Sequence, residues 1–430
     1  MADKEKISFK EFFRESGVTG LHHSNGSIEE EWIPDLKNLN RYKTYSEMSE
    51  NDPVIGAILF AIQMLIRQVN IRVQSASEEE KDVQAKEFLE SCKDDMSSDF
   101  STVVSEILSF LPYGYSYHEV VYKKRLGKKN KDAGSRSKYN DGKIGWRKIP
   151  IRSQDTLNEW VLDESGGIQG FKQENPQTGE LVVIPIQKSL LFRTSSPKGS
   201  PEGRSVLRNA YKPWYYKKRI QEIEGIGVER DATGMPVIYA PSKVLAKTEA
   251  SDSTLYDELK KILINLRRDE QEGVLLPGDR DSSGNRLFEL ELLSSGGSRQ
   301  LDIDKIISRY NKEIAMVVLA DFILLGHEKV GSFALSSDKT ALFATALKSW
   351  KDEIQSVFNR HAIPRLFEIN GWDLEEYPKF VFEDIETPDL KALGEYISKL
   401  SGAGIELFPD EELENYLRTA ANLPEKIDEE

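Results

Sequence analysis

Two long helical patterns on either side of a short glycine segment constrain this chain more than any other feature. From Leu301, the run LDIDKIISRYNKEIAMVVLADFILLG places Ile303, Ile307, Tyr310, Ile314 and Val317 at alternating steps of four and three, with Asp304, Lys305, Arg309 and Lys312 off that line. The run SSDKTALFATALKSWKDEIQSVFNRHAIPRLFEIN aligns Phe343, Leu347, Trp350, Ile354 and Val357; it predicts a cap at Ser336 or Ser337 and a bend or break at Pro364. Helices of this length with one apolar stripe must cover it with another element or another copy of the chain. Between them lies GHEKVGS (326–332), close to the phosphate-loop pattern G-x-x-x-x-G-K-[ST]. A phosphate loop follows a β-strand and sets a lysine just after its second glycine. Here helical periodicity precedes it, Ser332 and Phe333 occupy the Lys and Ser/Thr positions, and Lys329 is out of register. The glycines read better as hinges of a mobile loop between two helices.

With 430 residues, 39% of them apolar, the chain can fill two or three cores. Its net charge of -14 is unevenly spread. The segment 123–148 holds eleven Lys and Arg against Asp132 and Asp141, while the final 48 residues carry 14 acids against 4 bases. So acidic a chain is poorly made for gripping duplex DNA by neutralising phosphates. The basic segment reads either as a solvated hairpin excursion or as a contact surface for an acidic partner or nucleic acid. The longest apolar runs, 54–66 and 314–326, fall short of a membrane span, and the opening MADKEKISFKEFF alternates charges with aromatics and lacks the form of a secretion leader. The single cysteine, Cys92, reads as a helix-face residue and suits a reducing compartment.

Residues 1 to about 45 read as a polar arm. In ENDPVIGAILFAIQMLIRQVNIRV, Asp52 can cap a helix, Pro53 fits its first turn and apolar residues cover nearly every face, which predicts a buried helix running into a strand. Amphipathic helices follow at about 78–95, with Val83, Phe88 and Leu89 on one face, and at 99–111, ended by Pro112 and Gly114. Alternating Tyr113, Tyr115 and Tyr117, then Val120 and Tyr122, open a β-rich region containing WRKIPIRS, EWVLDE, SLLFRTS and a hairpin turning at NPQTGE. From Gly203 a long helix is predicted, with Pro213 as a kink; its Trp214, Tyr215 and Tyr216 beside Lys217, Lys218 and Arg219 pack on a neighbour or offer a base-stacking platform. A strand (GMPVIYAP), a helix (SDSTLYDELKKILINLRRDE) and a hairpin make an α/β insertion of about 70 residues before the long helices, and KFVFED adds a strand after them.

Catalytic signatures are weak. HEVVY and HEKVG begin like H-E-x-x-H but lack the second histidine, the pair His22–His23 has no third ligand, and the S-x-x-K spacing in SSPK contains a proline. The residues point to no enzyme, cofactor or metal.

The order of elements resembles the portal proteins of tailed bacteriophages and prophages. The resemblance covers roughly 42–385 and rests on YSEMSENDPVIGAILFAIQMLIRQVNIRV, FLPYGYSYHEVVYK, SPEGRSVLRNAYKPWYYKK and IISRYNKEIAMVVLADFILLG with its glycine and serine loop, taken together. It implies an α+β portal-type fold with an α/β wing, a two-helix stem, an α/β clip insertion and a small helical C-terminal crown. Carried onto this chain, 1–45 is the arm, 46–202 the wing, 203–229 and 301–325 the stem, and 230–300 the clip. The tunnel loop is 326–336, the wing return 337–385 and the crown 386–430. The resemblance further implies a ring of usually about twelve copies at one capsid vertex, through which double-stranded DNA is packaged and ejected. Its partners would be the terminase large subunit, a head–tail adaptor and the major capsid and scaffold proteins, in the host cytoplasm during assembly and then in the virion, with no membrane. Gly326, His327, Glu328, Lys329, Val330, Gly331 and Ser332 would face DNA from the tunnel loop, and Asp304, Lys305, Arg309 and Lys312 would line the channel. The alternatives are another capsid or tail protein, or a nucleotide-binding enzyme using GHEKVGS.

Overall fold

The computed structural model describes residues 17–383 apart from 234, 268–279, 281, 285, 294–302 and 318–332. Its elements in order are α1 (Asn38–Asn51), α2 (Pro53–Arg67), β1 (Ile71–Gln74), α3 (Glu80–Asp94), α4 (Phe100–Ile107), β2 (Tyr115–Glu119), β3 (Val121–Lys124), β4 (Ile144–Lys148), β5 (Ile151–Arg152), β6 (Leu157–Leu162), β7 (Ile168–Glu174), β8 (Leu181–Pro185) and β9 (Ser189–Arg193). They continue with α5 (Tyr211–Thr233), β10 (Met235–Tyr239), α6 (Ala250–Arg267), β11 (Glu289–Leu293), α7 (Ile303–Val317), α8 (Phe333–Val357), α9 (Ile363–Ile369) and β12 (Lys379–Phe382). The mixture is α+β, and the chain divides into two units, 1–211 with 314–430, and 212–313.

In the first unit the Asp52 carboxylate accepts from the amides of Val54 at 2.9 Å and Ile55 at 3.2 Å, and Pro53 starts α2 without losing a helical bond. Ile55, Ile58, Ile62 and Ile66 face inward, but α2 is not enclosed on every side as its composition suggests: Phe60 is 64% exposed and Met64 39%. α2 packs on α1, α4 and α8, and its outer face stays open in the single chain. Part of the expected polar arm is also α1, which buries Tyr42, Tyr45 and Met48 at steps of three. α3 buries Ala85, Phe88, Leu89 and Cys92, while Val83 faces outward.

The helix expected over 99–111 stops at Ile107 and resumes as one turn, Phe110–Tyr113. Pro112 has no amide hydrogen and its ring would clash with the carbonyl of Leu108, so one continuous helix is ruled out. Tyr113 therefore lies in that turn, not in the strand. α5 starts only at Tyr211, which puts Pro213 in its first turn and not at an interior kink; α8 starts at Phe333, so neither Ser336 nor Ser337 caps it. Pro364 does mark a break: a π-turn over Phe358–Ala362 separates α8 from α9.

The strands form small antiparallel sheets, ordered β9–β2–β5, β8–β7–β6, β3–β4 and β12–β1. The turn NPQTGE sets Leu181 opposite Glu174. One large core joins α2, α3, α4, α8 and α9 through Phe100, Trp146, Phe192, Phe358, Phe367 and Phe380. A second surrounds Tyr115, Tyr117, Trp160 and Phe171. The free side of β12 is closed by α8 and the π-turn: Asn359 donates to Phe380 O at 3.0 Å and accepts from its amide at 2.9 Å, and Gln355 accepts from the amide of Phe382 at 2.9 Å. The buried Lys351 ammonium donates to the carbonyls of Phe382 and Glu383.

Two glycines from distant motifs cross in the first unit. Gly114, at φ 92°, would bring a Cβ to 2.5 Å from Glu202 O, and a Cβ on Gly203 would fall on the Gly114 carbonyl oxygen. Only hydrogen fits at either position. In the second unit, β10 pairs with β11, and Val244, Leu259 and Phe288 form a small core under α6.

Candidate functional site

The charged face of α7 is a direct consequence of its sequence period. Ile314 and Ala315 are buried, Ile303, Ile307 and Tyr310 are half-buried, and Asp304, Lys305, Arg309 and Lys312 are exposed together on the other side. Arg309 lies 3.8 Å from Glu313 and covers the Tyr310 ring at 5.0 Å, so part of the stripe is internally neutralised. The loop residues Gly326, His327, Glu328, Lys329, Val330, Gly331 and Ser332 lie outside the described residues, as does the acidic segment 386–430. On α5, Trp214 is buried and so cannot serve as a stacking platform, whereas Tyr215 and Tyr216 are exposed and meet edge to face at 5.7 Å.

The basic segment is more ordered than a solvated excursion. It joins β3 to β4, and its base is anchored on Asp95 at the end of α3. That carboxylate receives Lys123 Nζ at 2.9 Å, the Ser137 hydroxyl at 2.5 Å and the Lys138 amide at 2.8 Å. Burial alone would raise its pKa, but these donors outweigh burial and hold it below the usual value. Arg125 is buried, pairs with Asp141 at 2.8 Å, donates to Ser91 at 2.8 Å and lies 4.1 Å over the Tyr139 ring. Lys143 sits over both Phe88 and Trp372. With Lys123 and Arg125 inside, Lys124, Lys128, Lys129, Lys131, Arg136, Lys138 and Lys148 are held on the outer surface.

Sequence reasoning missed a third cluster. A cleft of about 310 Å³ opens beside α1, lined in part by Trp32, Arg41, Tyr45, Lys198, Glu202 and Arg208. Arg41 donates to Glu202 at 2.5 Å and to Tyr42 OH at 2.9 Å, Tyr42 OH meets Tyr115 OH at 2.9 Å, and Trp160 Nε1 donates to Glu202 at 3.2 Å. Glu31 takes two bonds from Arg208, and Lys198 pairs with Glu30 at 2.8 Å. Burial pushes Glu31 up, but Arg208 and the amides of Ile33 and Trp32 outweigh it and lower its pKa. The acids Glu30, Glu31 and Glu202 are thus each matched to a cation, so the cleft fastens the N-terminal segment to the stretch between β9 and α5. Arg41 and Glu202 stand 161 residues apart, a separation that no local pattern reveals.

The other chemical candidates are structural. His118 is fully buried, its Nδ1 is 3.2 Å from Ile149 O, and burial pulls its pKa down to about 4, so it packs as a neutral ring against Phe192. Burial pushes the Cys92 thiol up to about 11, which makes it unreactive. No group of three potential metal ligands occurs among the described residues.

A family model described as the portal protein of Mu bacteriophage matches residues 42–420. Among solved structures, the chain is similar to one in the neck of an empty gene transfer agent particle computed with C6 symmetry, at a TM-score of 0.53 and 13% identity, covering 89% of this chain and 94% of that one. It is also similar to a chain in the virion of a native gene transfer agent particle, at a TM-score of 0.51 and 12% identity with the same coverage. At these identities the likeness concerns the fold.

Proposed function

The chain belongs to the Mu-type family of phage portal proteins, and on that premise we propose that copies of it form a ring at one capsid vertex, usually of about twelve, through which double-stranded DNA is packaged and later ejected. The observation that carries the reading is the unit 212–313: it begins in α5, ends in α7, and holds the β10–β11 pair and α6 between them. That is the order expected of a stem helix, a clip and a second stem helix. The first unit is then the wing, and residues 386–430 a small crown. The clip would dock the terminase large subunit and afterwards a head–tail adaptor, with the major capsid and scaffold proteins meeting the wing. The protein would assemble in the host cytoplasm and remain in the virion, with a structural and not an enzymatic role.

Head-to-tail contacts whose rotation closes make a ring. The α7 stripe mixes Asp304 and Glu313 with Lys305, Arg309 and Lys312, so a channel wall built from it offers no unbroken positive track. In an acidic protein such a wall lets phosphates pass without trapping them. Lys329 and His327 of the tunnel loop would touch phosphates only transiently.

Negative-stain imaging of the purified chain tests the ring: about a dozen subunits around a central hole are expected, and solid particles or monomers would overturn it. Lys329→Ala and deletion of 326–332 should lower the yield of DNA-filled heads while the rings still form. Unchanged yield in both would remove the loop from the mechanism.

A further inference from the structure

One loop of the first unit carries positive charge that no carboxylate of the described residues answers. Residues 125–143, between β3 and β4, contain no strand or α-helix, only a 3-10 turn at Ala133–Ser135. A stretch of that length without regular structure is as a rule either disordered or functional. This one is folded: at its base the Arg125 amide donates to Lys143 O at 2.9 Å and the Gly142 amide to Arg125 O at 3.0 Å, and further out the Gly127 amide donates to Tyr139 O at 2.8 Å. Lys123, Arg125 and Asp95 are buried, and buried ion pairs add little stability over apolar packing of the same shape. Stability alone therefore gives no reason for the arrangement. On the outside, Lys128, Lys129, Lys131, Arg136 and Lys138 are exposed, and among the described residues none of them forms an ion pair; Arg136 and Lys138 donate to the carbonyls of Asn130 and Asp94. The loop's own acids are engaged elsewhere. Asp132 accepts from the Gly134 amide at 2.9 Å and the Ser135 hydroxyl at 2.7 Å, and Asp141 pairs with Arg125 at 2.8 Å. Lys172, Lys188 and Lys198 in the same unit, by contrast, each have a glutamate partner.

The chemistry of this surface selects its partner. Interfaces between proteins are depleted of lysine and centre on large apolar anchors. Here all but Arg136 of the exposed cations are lysines, and the large apolar side chains beside them, Leu126 and Tyr139, are only 36% and 37% exposed. Nucleic-acid interfaces have the opposite character, polar and strongly positive, with most of their hydrogen bonds made to phosphate and sugar. A single strand would also need open aromatic faces on which to stack bases. Of the aromatic residues in 123–148, Trp146 is buried and one face of Tyr139 lies under the Arg125 guanidinium at 4.1 Å. The negative charge of the rest of the chain is screened beyond about 8 Å at physiological salt, so the loop's own cations govern what approaches it. We propose that the loop 125–143 is a docking surface for the phosphate backbone of duplex DNA, held through Lys128, Lys129, Lys131, Arg136 and Lys138 without regard to base sequence. The contact is additional to the channel of the portal reading, which concerns α7 and the tunnel loop, and does not depend on it.

Fluorescence anisotropy with a short mixed-sequence DNA duplex tests it on the full-length chain, on the triple variant Lys128→Glu, Lys129→Glu, Lys131→Glu, and on a control with the same change of charge at exposed lysines elsewhere in the unit, Lys37→Glu, Lys43→Glu, Lys379→Glu. The full-length chain should bind the duplex at about 50 mM salt and release it as salt rises to about 200 mM. The triple variant should bind at least about tenfold more weakly and with a flatter salt dependence, because each lost phosphate contact releases fewer counterions. The control should bind as the full-length chain does. Negative stain scores ring formation separately, so loss of duplex binding with rings intact belongs to the loop, and a failure to form rings belongs to the portal reading. Duplex binding that survives the triple substitution, or that falls equally in the control, would overturn the proposal. So would absence of binding at low salt, or a polyglutamate peptide that binds the full-length chain where the duplex does not, which would make the partner an acidic protein.

Discussion

The two units meet the same burial problem on different scales. In the first, Phe100, Phe358, Phe380 and Trp146 interlock with ring centroids 5.1–6.1 Å apart, and the core extends into several helices and strands. In the second, the β10–β11 ribbon and α6 enclose, among the described residues, a small core of Val244, Leu259 and Phe288, and Ile223, Ile226, Tyr239 and Ile264 stay exposed. A two-stranded ribbon is marginal by itself. The first unit buries a large core within one chain yet leaves the outer face of α2 open at Phe60 and Met64; the second has a small core and several exposed apolar side chains.

The comparison can be broken most decisively in the cores. Phe380→Ala should destabilise the first unit by about 3–5 kcal/mol in chemical denaturation, and Leu259→Ala in the second by no more than about 2 kcal/mol. Equal losses would remove the distinction. Asp95→Ala comes next: it leaves Lys123 buried without its counter-charge and should lower the stability of the first unit by about 3 kcal/mol, with faster proteolysis of 123–148. Acid probes the same unit through His118. Its folded pKa is depressed to about 4 from 6.5, so the unfolded chain binds the extra proton, and stability present above pH 6.5 is lost as pH falls towards 4. The loss amounts to about 3 kcal/mol. His118→Asn should flatten that slope in urea titrations run at each pH. The smallest effect on the chain itself sharpens the contrast: Ile223→Lys should change its stability by less than about 0.5 kcal/mol while reducing the fraction of rings seen by negative stain.

Helices with a strong period were legible because their signal is local. The stripe Ile303, Ile307, Tyr310 and Ile314 and the stripe Phe343, Leu347, Ile354 lie where the spacing puts them. α1 was missed because its buried side, Tyr42, Tyr45 and Met48, is sparse and set in a polar stretch. The α2 composition misled in the opposite sense, since an apolar residue states a preference and not an address. The basic segment showed its charge but not its anchoring, because Asp95 lies 28 residues before Lys123. The charged stripe of α7 could be read from the sequence because its spacing is local.

The crossing of Gly114 and Gly203 joins two of the stretches on which the portal resemblance rests, YGY and GRS, at a point where neither has room for a methyl group. The first methyl at either position already forces the two segments apart, so the two substitutions together should cost less than the sum of each alone. Each glycine also holds a positive φ, 92° at Gly114 and 56° at Gly203, so opening the crossing from one side does not lift the demand for glycine at the other.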